Sequence, residues 1–156
     1  MKTVARQLSV VLFFIGFMGA ANAQDSVKVL KKDVPESVLS AFSKAYPKAI
    51  VKTYSRETRD GKICYELESK DATTKRDIIY AANGDVMEIE EAMKPSDLPA
   101  VVKATLTKNY PNAKITAAEK LIKGTMVQYE STIKVGSNTI DLLFSDAGQL
   151  VKPALK

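Results

Sequence analysis

The chain has 156 residues, with 23 Lys and Arg against 18 Asp and Glu, a net charge of +5, no His, no Trp and one Cys. Without His, general-base chemistry would rest on a carboxylate or Lys with a shifted pKa, and no nucleophile elbow, P-loop or dinucleotide fingerprint is present. A single Cys excludes an internal disulfide and a paired-cysteine zinc site.

Residues 1–23 read as a secretory signal peptide. Lys2 and Arg6 supply charge, Leu8 to Met18 is an apolar run, and Ala21-Asn22-Ala23 is a small-x-small cleavage site. Cleavage after Ala23 leaves a chain that is periplasmic or secreted, with no membrane insertion. Losing Lys2 and Arg6 lowers the net charge to +3. The basic balance is therefore no nucleic-acid footprint, and no nucleic-acid partner is expected.

Residues 24–32 form a polar leader, disordered or adding an edge strand. A helix follows, with Pro35 in its first turn, Asp33 near its positive start and Pro47 as its stop. Val34, Val38, Ala41, Phe42, Ala45 and Tyr46 recur at helical spacing. After the helix the period changes to two. Ala49 to Tyr54, Ile63 to Glu68 and Arg76 to Ala81 alternate, with Asp60-Gly61 and Asn83-Gly84 as hairpin signals before Val86 to Ile89. Glu88 to Ser96 is a short acidic join.

The same series then recurs 64 positions on. Asp33-Val34-Pro35 becomes Asp97-Leu98-Pro99, Tyr46-Pro47 becomes Tyr110-Pro111, Tyr65-Glu66 becomes Tyr129-Glu130, and Gly84 becomes Gly148. A fixed period without gaps is the mark of a tandem duplication. The expected fold is α+β: two tandem repeats, each one helix packed on a four-stranded antiparallel sheet. The expected bounds are 33–90 and 97–156 with a linker at 91–96. Ile63, Tyr65, Leu67, Ile78 and Tyr80 are the expected inner set of the first unit. Val127, Tyr129, Ile133, Leu142 and Phe144 are that of the second.

A sheet covered by a helix on one side leaves its other face open. On that face a hairpin turning near Ala72 and Thr73 sets Glu68 opposite Asp77 and Glu66 opposite Ile79. The second unit sets Glu130 opposite Leu143 and Thr132 opposite Asp141. Facing like charges cost stability unless compensated, and Lys52, Arg56, Lys70 and Lys75 are candidates to do so. The candidate partner-binding set is Tyr54, Glu66, Glu68, Asp77, Ile79, Glu130, Asp141 and Leu143, with Tyr54, Ile79 and Leu143 as apolar anchors. Carboxylates also suit calcium, but no loop carries acids at alternating positions. No catalytic, cofactor or metal-binding residues are assigned, and Cys64 lacks a base partner.

The helix start Asp-Val/Leu-Pro, its end Tyr-Pro-x-Ala, the Tyr65-Glu66 and Tyr129-Glu130 strands and the Asn83-Gly84 and Ala147-Gly148 turns resemble the PepSY-like, beta-lactamase-inhibitor-like family of secreted bacterial proteins. The resemblance spans about Val27 to Val151. It implies a continuous curved sheet surface, such as related inhibitors use to clasp an enzyme, and it brings no catalytic residues. Those inhibitors are stapled by disulfides, which this chain cannot form. The functional expectation is a non-enzymatic binding protein, an inhibitor of a protease or other enzyme among the options, docking a protein or peptide of the envelope or medium on its open face. The alternative is a small-ligand or metal-ion binder using the cleft between repeats.

Overall fold

The computed structural model describes residues 24–72 and 74–154. The expected signal peptide lies outside them. The chain begins with β1 (Gln24–Lys28), a 3-10 turn (Lys31–Asp33) and α1 (Glu36–Ala45). Then come β2 (Ile50–Arg59), β3 (Lys62–Lys70), β4 (Lys75–Ala81) and β5 (Val86–Met93). The second half repeats the order: a 3-10 turn (Pro95–Asp97), α2 (Ala100–Asn109), β6 (Lys114–Lys123), β7 (Met126–Val135), β8 (Asn138–Ser145) and β9 (Leu150–Ala154). The leader thus supplies an edge strand.

All nine strands join one open antiparallel sheet in sequence order. The sheet is continuous through both repeats, with β1 added at one edge. β5 pairs with β6 from Ile89↔Ile122 to Met93↔Ala118, so hydrogen bonding runs across the join. Glu91 to Met93, expected to begin a linker, are the last residues of β5. Lys94, the 3-10 turn and Leu98-Pro99 separate that strand from α2.

Local chemistry explains the helix ends. Pro35 and Pro99 occupy the N-cap positions, where a missing N–H costs nothing. Asp33 is not at the start of α1. Its carboxylate accepts from the Leu30 N–H (3.3 Å) and closes the preceding 3-10 turn. At the other end, Tyr46 and Tyr110 donate to the carbonyls of Phe42 and Leu106, both at 2.8 Å, before Pro47 and Pro111 end each helix.

Each helix buries one stripe on the same side of the sheet. Val34, Val38 and Phe42 pack on Leu67, Ile78 and Tyr80. Leu98, Val102 and Leu106 pack on Ala118, Ile133, Leu142 and Phe144. Burying each large apolar side chain contributes roughly 1.5–3 kcal/mol. Two expected inner residues lie outside these clusters. Ile63 is 51% exposed beyond the reach of α1, and Val127 is half-buried at the start of β7.

Register shifts recur at matching places in the two halves. They fall at Val51/Thr53 and Ile115/Ala117, and again at Ile79/Tyr80 and Leu143/Phe144. Each bulge adds one residue on one strand and increases the local twist.

Candidate functional site

Strand alternation sends the neighbours of the buried helix-side residues to the opposite face. Register then sets acids beside acids. Glu68 faces Asp77, and Asp77 faces Glu90. Glu66 faces Ile79, and Ile79 faces Glu88. Further along the sheet, Glu119 faces Glu130, Glu130 faces Leu143, and Thr132 faces Asp141. With Glu57, this face holds half of the chain's 18 acidic residues, on a protein whose net charge is positive. Neither helix packs on it.

Cations pair with Glu57 and Glu88. Arg59 bridges Glu57 (2.7 Å) and Glu88 (2.8 Å), and Lys123 lies 3.9 Å from Glu88. Among the described residues, no cation lies within ion-pair distance of Glu68, Asp77, Glu90 or Glu119. Of the expected neutralising residues, Lys75 acts on Asp77 and Glu119 through space. Arg76 serves the other face, pairing with Asp71 and Glu91 at 2.6 Å each and lying 5.0 Å above the Tyr46 ring.

The electrostatics follow from this geometry. Burial first, then the charges of Asp77, Glu57 and Glu68, pushes the Glu66 carboxyl up to about 8. Burial and the neighbouring Glu88, Glu119, Asp77 and Glu130 do the same to Glu90, also to about 8. Asp77 is raised to about 6 by burial, Glu68 and Glu119. Glu119 is raised by burial and Asp141. Glu66 is 2% exposed, and its Oε1 is buried with no hydrogen-bond partner among the described residues.

The sequence-derived set divides. Glu66, Glu68, Asp77, Ile79, Glu130, Asp141 and Leu143 share the open face, in the expected pairs. Ile79 is buried at 2% and offers no anchor to a partner, whereas Leu143 is half-buried. Tyr54 lies on the wrong side for this set. The register shift between Val51 and Thr53 brings Thr53 opposite Glu68 and Tyr54 opposite Leu67, so Tyr54 packs against the core beneath α1. Glu57, Glu88, Glu90 and Glu119 belong to the face but were not in the set. The alternation running on through Glu88-Ile89-Glu90 carries the signal for two of them.

A family profile described as "Putative beta-lactamase-inhibitor-like, PepSY-like" matches residues 22–86 and, overlapping them, 65–152. The chain belongs to this PepSY-like family. Solved structures share the fold of this member. One is a BLIP-like protein from Bacteroides fragilis, with TM-score 0.61, 20% identity, and coverage of 77% of this chain and 84% of that one. Another is described as a "putative periplasmic" protein of Bacteroides eggerthii, with TM-score 0.65, 13% identity, and coverage of 77% and 87%. A third is a DUF2874 family protein of Bacteroides uniformis, with TM-score 0.63, 12% identity, and coverage of 77% and 88%. Among functionally curated proteins none matches this chain.

Other features of this PepSY-like chain bear on the chemistry. Among the described residues, no group of three His, Cys, Asp or Glu is placed to hold a metal ion, and no helix is long and apolar enough to cross a membrane. Cys64 is buried against Glu57, and burial together with that carboxylate pushes its thiol up to about 11. A cavity of about 570 Å³ lies between α1 and β2, lined by Leu39, Phe42, Tyr46 and Tyr54 among others. It lies within the first repeat and is not the expected cleft between repeats.

Proposed function

We propose that this chain is a non-enzymatic exported binding protein that docks a protein or peptide partner on the sheet face opposite its helices. One observation carries the reading: Glu68, Asp77 and Glu90 stand in direct register across that face, with no cation within ion-pair distance of them among the described residues, on a protein that is otherwise basic. Facing like charges destabilise a sheet. A face kept at that cost is better explained by a partner than by stability. The family's inhibitor-like description favours an enzyme as one class of partner, and inhibition as one result of docking.

The test is capture from the envelope and culture medium of the source organism, with residues 24–156 as bait. A Glu68→Lys/Asp77→Lys variant with an unchanged melting profile is the control. A partner held by the native bait and lost by the variant supports docking on this face. Equal capture by both baits sinks it. Glu66, almost wholly buried, is left intact because a lysine there would compromise folding.

A further inference from the structure

We infer that the open face takes an extended basic segment of its partner, with Lys or Arg side chains seated on the row Glu68, Asp77, Glu90 and Glu119. This inference rests on the docking reading and specifies the chemistry of what docks. The row is built by three successive strand pairings. Glu68 faces Asp77, Asp77 faces Glu90, and β5 pairs with β6, which brings Glu119 alongside. All four are half-buried and so are reachable from solvent. Beside them lies Glu66, 2% exposed, with a buried oxygen that lacks a hydrogen-bond partner among the described residues. Such a group marks unfinished electrostatics.

The geometry selects a chain over a point ion. Neighbouring strands lie about 4.8 Å apart, so the row from β3 to β6 extends for roughly 14 Å. Among the described residues, no three acids converge closely enough to hold a metal. In an extended peptide, side chains on one side recur about every 6.6 Å, so two or three cations span the row. Charge complementarity over a partly desolvated surface is also where ion pairs gain most over their exposed counterparts. Non-specific attraction would not produce this binding, because the 24–156 chain carries a net charge of +3 and as a whole repels a basic peptide.

The experiment is a fluorescence-anisotropy titration of residues 24–156 with labelled peptides of about twelve residues, a length that more than covers the row. One alternates Lys and Thr, one alternates Glu and Thr, and one alternates Ser and Thr. The expected result is at least tenfold tighter binding of the Lys peptide than of either control. It should weaken as salt rises and weaken at least tenfold in Glu68→Gln/Glu90→Gln. No preference for the Lys peptide overturns the inference, and so does unchanged binding by the amide variant. Leu143→Lys, on the same face but outside the row, separates the two levels. If the Lys peptide fails while Leu143→Lys still abolishes capture of the native partner, docking on the face stands and its basic chemistry falls. If capture ignores Leu143→Lys and the acid variants alike, both fall.

Discussion

A β-carbon on Gly84 would lie 2.7 Å from the carbonyl oxygen of Ser37. The β4–β5 turn presses its backbone directly onto the first turn of α1, and Ser37 Oγ donates to the Ala82 carbonyl at 2.7 Å. The second half repeats the contact 64 positions on. A β-carbon on Gly148 would meet the Val101 carbonyl at 2.8 Å, and Thr105 Oγ1 donates to the Gly148 carbonyl at 2.8 Å. Both glycines also have positive φ, +92° and +75°. Gly84→Ala and Gly148→Ala should each destabilise by roughly 2–4 kcal/mol in urea denaturation, from strain and clash together. Gly61, at φ +73° with nothing near its would-be β-carbon, isolates the conformational part. Gly61→Ala should cost about 1 kcal/mol. Equal losses at all three sites would show that the helix contact adds nothing.

Stability should fall as pH rises from acid to mildly alkaline. Glu66 and Glu90 move from an ordinary 4.5 to about 8 in the folded protein, and Asp77 from 3.8 to about 6. A carboxyl with a raised folded pKa favours the native state when protonated. That contribution is complete below the unfolded value and is lost as pH passes through the folded one. Around Glu66 stand Glu57 and Arg59 from β2, Glu68 on its own strand and Asp77 from β4. Arg59 opposes the shift without cancelling it. The melting temperature should therefore decline between about pH 5 and about pH 8, and Glu90→Gln should flatten the decline while stabilising the protein at pH 8 by on the order of 1 kcal/mol. A melting temperature that climbs across this window would contradict the arrangement of acids described above.

The two halves differ instructively in their cores. Tyr80 is fully buried, and its hydroxyl lacks a partner among the described residues. The residue 64 positions on is Phe144, buried in the same place beneath α2. Tyr80→Phe removes an unsatisfied polar group without changing the ring, and should raise stability by about 1 kcal/mol. Phe144→Tyr should lower it by roughly 1–3 kcal/mol. Chemical denaturation of the pair checks both signs.

Cys64 should be inert in the folded state. Its thiol is buried and raised to about 11, so little thiolate exists near neutral pH. At pH 8 a thiol reagent should modify it at least about a hundredfold more slowly in buffer than in denaturant. Rapid labelling of the native protein would mean that the sheet opens between β2 and β3.

Punctuation and alternation in the chain determined the elements. Pro35, Pro47, Pro99 and Pro111 bound the helices because proline lacks a donor. Asp60-Gly61 and Asn83-Gly84 set the turns, where Asp60, Gly61 and Gly84 adopt positive φ. Period two then predicted the pairs Glu68↔Asp77 and Glu130↔Leu143, since a short hairpin leaves little freedom of register. Three decisions belonged to the tertiary structure. The bulge at Val51/Thr53 turned Tyr54 toward α1, and one inserted residue flips every side chain beyond it. The pairing of β5 with β6 set where the two repeats join in the continuous sheet and brought Glu90 beside Glu119. Hydrogen bonds between segments far apart in sequence leave no local trace. The burial that raises Glu66 and Glu90 arises only once neighbouring strands close around them, because desolvation belongs to a site in three dimensions and not to a residue type.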